Sequence, residues 1–394
     1  MPTGAFLRAW ECSSWHIRQN NLGGNRLIYA IVFILSLLFA FGAEQFQTGK
    51  KIFFCFFAFC SVLTLSILNG IRDYSIGTDI GVYGKKIFVD ASQSHSFTEY
   101  MRQCKRIGMT EYGYAILNYI VGFFTSNPHV FFFVLGLLVN GVFFGCCVKL
   151  CNTASLTFTW ATYLLIFYPT TLNLLRQSVA LSIIFIAILE MLEKRLLESL
   201  IWIVIAYSFH HSAIIGLWPL VFVYLFNKIK KESKKNTIII VFIAISALIP
   251  TVILKLNSFG LLDDKYSQYV SRGDGSVSMT NVVLVRLPFI ILSLFYLVQD
   301  RKKNNDENKI LWTLVLAEST LLPLQLISPS LFRIALYLGI FKIPGYASLI
   351  KHCRFSKSLL YSVYAAYLLF YFMYMTVIGG ANQIYPFVIA NDLF

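Results

Sequence analysis

Apolar runs about as long as a bilayer is thick follow one another along nearly the whole of this chain. They fall at 27–43, 52–70, 130–148, 155–170, 178–192, 199–210, 212–226, 237–254, 282–299, 310–327, 331–350 and 359–378, the first two close to the ~17–25 apolar residues that a transmembrane helix requires and several of the others shorter. In lipid only a backbone that satisfies its own hydrogen bonds is stable, so such runs read as helices. The expected fold is all-α, a polytopic integral membrane helical bundle of roughly 10–12 spans, some of them short, tilted or re-entrant. Composition points the same way: of 394 residues, 57% are apolar and 13% charged, about half the charged share of an ordinary soluble domain.

A net charge of +14 is of the sign and size that suits nucleic acid, but the Lys and Arg sit mainly in short loops between apolar runs. There the excess of positive charge on cytoplasmic loops explains them, so nucleic acid is excluded as a partner. The eight Cys lie mostly inside apolar runs, as at Cys55, Cys60, Cys146 and Cys147, without metal-ligand spacing. They read as small buried hydrophobes, and no metal site is expected. Met1 to Arg26 is too polar for a cleavable signal peptide.

Three regions are expected. Residues 1–26 form an N-terminal extension whose Phe6, Leu7, Trp10 and Ile17 suit one face of an interfacial helix. Residues 27–378 form the transmembrane domain, with a loop at 71–127, and 379–394 form a nearly uncharged tail. Basic loops at Asn227–Lys235, Arg301–Lys303 and Lys351–Arg354 are separated by even numbers of spans and are expected to be cytoplasmic. The loop at 71–127 and the tail are then external. Within that loop Tyr112 to Phe124 is apolar but too short to cross, and reads as an amphipathic or re-entrant helix.

Four constellations carry groups that are costly in hydrocarbon and so face a bundle interior or a watery cavity. The first runs from Arg72 through Gly77, Thr78 and Asp79 to Tyr83, and its alternative reading is a polar loop with a snorkelling Arg. Arg176 and Gln177 are the second; an interfacial anchor would not need the hydrogen-bonding capacity of Gln177. The third is His210-His211-Ser212. Adjacent His on a helix point about 100° apart and do not readily share a metal, but either can exchange a proton or contact a phosphate. The fourth is Ser328 to Tyr337, in which Arg333 and Tyr337 lie one turn apart, with Arg286 as a further member. Arginines gathered on one side of a membrane read as a diphosphate clamp, because the guanidinium pairs bidentately with phosphate oxygens.

The ordered set resembles the EpsG family of Wzy-like exopolysaccharide, capsular and O-antigen polymerases. The pieces that carry the resemblance are Arg72 with Gly77-Thr78-Asp79 and Tyr83, Glu111-Tyr112-Gly113-Tyr114 with Asn118, Arg176-Gln177 with Ala180, Phe209-His210 with Ser212-Ala213, and Arg333 with Tyr337. They span about residues 70 to 345. The resemblance implies a glycosyltransferase that moves a growing glycan from undecaprenyl diphosphate onto the next lipid-linked repeat unit, at the outer face of the bacterial cytoplasmic membrane. It implies no nucleotide sugar, no cofactor and no obligatory metal. The partners it implies are the undecaprenyl diphosphate-linked oligosaccharide, membrane lipids and a chain-length regulator protein. On this reading Arg176, Arg333, Arg72 and Arg286 bind diphosphate, His210 or Asp79 serves as base, and Gln177, Tyr83, Glu111 and Tyr337 bind substrate. A glycan ligase shares most of this chemistry; a membrane O-acyltransferase and a lipid-linked oligosaccharide flippase are the competing classes.

Overall fold

The computed structural model describes residues 25–150, 155–261, 267, 270, 279–299, 306–352 and 356–393. The expected interfacial helix within 1–26 lies outside them, as do the basic loop at 301–303 and positions Cys353 and Arg354.

The principal helices, in chain order, are α1 (Ile28–Phe46), α2 (Lys51–Ile71), α3 (Lys85–Gln93), α4 (Phe97–Arg106), α5 (Tyr112–Phe124), α6 (Pro128–Lys149), α7 (Tyr168–Asn173), α8 (Leu175–Leu192), α9 (Leu196–Phe209), α10 (Leu217–Lys228), α11 (Glu232–Ser258), α12 (Met279–Gln299), α13 (Asp306–Thr320), α14 (Lys342–His352) and α15 (Lys357–Phe372). No strand occurs among the described residues, only isolated antiparallel bridges joining Asn25 to Phe387 and Arg72 to Ile389. Seven helices there are long and apolar enough to cross a membrane: α1, α2, α6, α8, α11 and the runs Asp306–Ile327 and Ser358–Ile378. The protein is a multi-pass membrane protein. Four further apolar helices are shorter, at Tyr112–Phe124, Leu196–Phe209, Val283–Val298 and Ser330–Gly339. Several runs that read as single spans in the sequence are thus short or broken pieces.

The chain divides into two compact units. The first comprises residues 1–144, 163–178 and 366–394; the second comprises 145–162 and 179–365.

In the first unit α1 and α2 form a hairpin closed by reciprocal bonds, Ser36 Oγ to the Ser61 carbonyl at 3.0 Å and Ser61 Oγ to the Ser36 carbonyl at 2.8 Å. The outer faces of α1 and α2 present Ile31, Ile34, Leu38, Phe56 and Phe59, the apolar surface that lipid covers. Inside, Tyr168 Oη donates to Asn69 Oδ1 at 2.9 Å and Tyr163 Oη to Asn140 Oδ1 at 2.6 Å, so these four buried polar side chains are paired as a low-dielectric interior demands. α5 buries Tyr114, Ala115, Asn118 and Val121 while Ile116, Ile120, Phe123 and Phe124 face outward. Its outer face is therefore the apolar one, as for a helix set at the membrane rather than in water.

In the second unit Trp218 Nε1 donates to Ser246 Oγ at 3.1 Å and Phe222 stacks on Phe242, joining α10 to α11. Lys309 Nζ reaches Glu232 at 2.7 Å and Lys235 Nζ reaches Asp306 at 2.5 Å, which fastens the start of α11 to the start of α13. α12 packs on α14 through the stacked rings of Phe289 and Tyr346, and α13 on α14 through Ser348 Oγ to Asn308 Oδ1 at 2.8 Å.

Candidate functional site

The first unit is organised around a break in the backbone between α7 and α8. Leu174 leaves the helical region at φ −92°, ψ 84°, so α7 stops at Asn173 and α8 starts afresh at Leu175. A stopped helix leaves its last carbonyls without intrahelical donors. The Leu172 carbonyl accepts instead from Arg72 Nη1. The next side chain, Asn173 Oδ1, accepts from Thr78 N at 2.8 Å, Thr78 Oγ1 at 2.7 Å and Asp79 N at 3.4 Å. Between these anchors Gly77 turns at φ +84°, and a Cβ there would stand 2.6 Å from the Leu172 oxygen. Only glycine fits this approach. Gly81, four residues on, has no positive φ.

This docking delivers Asp79 and Tyr83 to Arg176, one residue into α8. Tyr83 Oη donates to Asp79 Oδ2 at 2.6 Å, and the Arg176 guanidinium lies over the Tyr83 ring, 4.6 Å from its centre. Arg176 Nη1 donates to Glu111 Oε2 at 2.8 Å, and Glu111, at the start of α5, is buried. Burial, and after it the Asp79 carboxylate, push the Tyr83 hydroxyl well above its ordinary range, so Tyr83 remains a donor to Asp79. Arg176 Nε has no hydrogen-bond partner among the described residues. The arrangement is a cation fixed from two sides with a donor in hand, beside a carboxylate with one oxygen already fixed. Gln177 is buried next to it.

Arg72 is enclosed at the break itself. It is wholly buried, its guanidinium 5.2 Å from the centre of the Phe132 ring, and its Nε and Nη2 lack hydrogen-bond partners among the described residues. Burial draws it down to about 10, which leaves it cationic at neutral pH.

Residues 383–393 are stitched along the loop that carries Arg72. Asp73 N donates to the Val388 carbonyl at 2.9 Å, Ala390 N to that of Ile71 at 2.9 Å and Gly77 N to that of Gln383 at 3.1 Å. Tyr29 Oη donates to the Ile384 carbonyl at 2.9 Å. His129 contacts the Gly70 carbonyl through Nδ1 at 2.8 Å and Asp392 Oδ1 through Nε2 at 3.3 Å. In the sequence this segment reads as a plain tail; here it is a strap.

The second unit joins the third and fourth constellations. α9 ends at His210, whose backbone is extended at φ −158°, ψ 121°, and a 3₁₀ turn follows over His211–Gly216. The two histidines therefore do not share a helix, and the 100° rule does not apply to them. What separates them is packing: the His211 ring lies on Tyr207, with centres 4.9 Å apart. Ser212 Oγ and Tyr337 Oη are 2.9 Å apart, and Tyr337 is fully buried. Arg333 is half-buried in a run of short helical pieces. Arg286 stands 3.7 Å from Glu318 Oε1, which also accepts from Lys342 Nζ at 2.6 Å.

Asn173, Glu318 and Lys342 were missed in the sequence. The last two carry a legible signal, a charge inside an apolar run at 310–327 and at 331–350; Asn173 carries none. The structure brings together Asp79, Tyr83, Glu111 and Arg176 in one unit, and Ser212 with Tyr337 in the other.

No curated protein and no solved structure matches the chain. The family model described as the EpsG family matches residues 52–389, from the start of α2 through most of the strap. It takes in both the broken-helix cluster and the second unit's arginines. On that match over most of its length, the chain belongs to the EpsG family, a family of Wzy-like polymerases.

Proposed function

We propose that the protein polymerises polysaccharide by transferring a growing glycan from undecaprenyl diphosphate to a lipid-linked repeat unit, at the outer face of a bacterial cytoplasmic membrane. The observation that carries the reading is the Asp79–Tyr83–Arg176–Glu111 network at the broken helix. In the reaction an acceptor hydroxyl oxygen bonds to the anomeric carbon, the bond from that carbon to the diphosphate oxygen breaks, and undecaprenyl diphosphate leaves. Negative charge grows on the leaving diphosphate, and a preorganised cation in a site shielded from water lowers the barrier most. Arg176 supplies it, oriented by Glu111 and by the Tyr83 ring. The hydroxyl proton goes to a base. Of the two carboxylates in Arg176's network Glu111 is taken up by the guanidinium itself, so Asp79 is favoured; His210 is the alternative. The cationic loops at 227–235 and 301–303 support an external site by the positive-inside rule.

The test is reconstitution. The full chain in liposomes, given undecaprenyl diphosphate-linked repeat units and no nucleotide sugar, is expected to yield a ladder of glycans differing by one repeat, with release of carrier diphosphate. Repeat units that cross the bilayer unextended, or that gain only an acyl group, would overturn the reading.

A further inference from the structure

The strap is fastened at its far end by a histidine whose two ring nitrogens both meet acceptors. His129 stands in the first turn of α6, and its side chain is 4% exposed. Nδ1 lies 2.8 Å from the Gly70 carbonyl oxygen and Nε2 lies 3.3 Å from Asp392 Oδ1. A carbonyl oxygen only accepts, and so does an ionised carboxylate, so both hydrogen bonds form together only when both nitrogens carry a proton. The first turn of a helix disfavours a cation, so Asp392, 61% exposed, is the group that keeps the second proton on the ring. The Tyr74 ring lies on the imidazole with centres 4.7 Å apart, Lys85 Nζ is 3.8 Å from the centre of that Tyr74 ring, and Asp73 accepts from Ser75 N at 2.8 Å. Burial, and after it Asp392 and Asp73, push the Tyr74 hydroxyl up to about 12, so Tyr74 stays neutral at this corner.

The near end of the strap is costly. The chain enters it through left-handed backbone at Gly380, Asn382 and Gln383, with φ 63°, 66° and 53°. A side chain such as that of Gln383 is strained there, and its buried Oε1 has no hydrogen-bond partner among the described residues. Strained backbone persists only where its surroundings hold it. At the far end the holding groups are His129 on Asp392 and Asn127 Nδ2, which donates to the Leu393 carbonyl at 3.1 Å.

We propose that His129 and Asp392 form a proton-operated latch: the imidazolium holds the strap, and with it the loop that carries Asp79, and loss of one proton releases both. His129 is a positioning residue. The strap takes the amides of Asp73 and Gly77, and the next two amides, those of Thr78 and Asp79, are fixed on Asn173 Oδ1. As pH rises and the ring becomes neutral, Nδ1 keeps its proton for Gly70, and Nε2 turns a lone pair toward the carboxylate. Asp392→Asn separates the two states of the ring, because an amide donates to a neutral Nε2 and accepts from a protonated one.

Hydrogen exchange of the full chain in lipid nanodiscs, without substrate, tests the latch, with protection corrected for the intrinsic rate at each pH. From about pH 5 to about pH 8, across which imidazoles titrate, wild-type peptides covering 384–393 and 71–79 are expected to lose protection as pH rises. The expected loss is about two- to tenfold, the worth of an ordinary net hydrogen bond. Asp392→Asn is expected to stay protected across the range and Asp392→Ala to lack that protection throughout; the exposed position of Asp392 lets both variants fold. Wild-type protection that does not change with pH, or an Asp392→Asn variant that keeps the wild-type pH dependence, overturns the latch. A loss confined to 384–393, with Thr78 and Asp79 as protected as before, overturns the positioning role. The readout needs no glycan, so a failure of the polymerase reading in reconstitution is told apart from a failure of the latch.

Discussion

Asp79 and His210 compete for the role of base, and their surroundings separate them. Asp79 has one oxygen fixed by Tyr83 and lies in the network of Arg176; His210 closes α9 in an extended conformation beside the Ser212–Tyr337 pair. General-base assistance is typically worth 10²–10⁴-fold. At matched protein levels, Asp79→Asn is therefore expected to slow chain growth by about that factor, and His210→Ala by clearly less. His211→Ala is expected to change chain growth little, because its ring is packed on Tyr207. A loss at His210 exceeding that at Asp79 moves the base to the second unit. Initial rates of repeat-unit addition on membranes, measured for all three variants, decide between them.

The helix break is the element on which the first unit's chemistry depends, and in the sequence it shows only as a gap between the apolar runs at 155–170 and 178–192. Asn173-Leu174-Leu175 contains neither Gly nor Pro, so nothing local marks Leu174 as the point where the helix stops. The break is held from outside, by Arg72 on the Leu172 carbonyl and by the loop bonds to Asn173 Oδ1. These are contacts across about a hundred residues that no local pattern encodes. Gly77 stood out in the sequence as a member of the Arg72–Tyr83 constellation, but the reason it must be glycine lies in the nearby Leu172 oxygen. Gly77→Ala is expected to cost about 1–3 kcal/mol from its positive φ, with more from the clash, and to lower the unfolding midpoint. Gly81→Ala, exposed and without positive φ, serves as the tolerated control. Asn173→Ala strips Thr78 of its acceptor and is expected to cost about 1–3 kcal/mol. Equal melting of Gly77→Ala and wild type in detergent would show that the loop docks otherwise.

At the scale of the whole molecule, membrane class was legible because apolar length and loop charge are local properties that a chain displays openly. Span count was less so, since runs such as 199–210 and 331–350 became helices too short to cross alone or broken pieces. The strap was hidden because its partners are backbone groups of distant residues. Sidedness gives a further prediction. A single cysteine at position 90 in α3 is expected to react with an impermeant reagent in intact cells, and one at position 230 only after permeabilisation. The reverse pattern would set the Asp79 loop on the wrong side for a lipid-linked glycan exported before it is joined. The most direct measurement of the central claim is chain growth by Arg176→Lys with reconstituted lipid-linked repeat units. Lys keeps the charge but loses the fork that holds Glu111 and leaves Nε for phosphate. The expected result is a protein that inserts and accumulates like wild type and makes almost no ladder; a normal ladder from Arg176→Lys would contradict the claim and reduce Arg176 to an anchor.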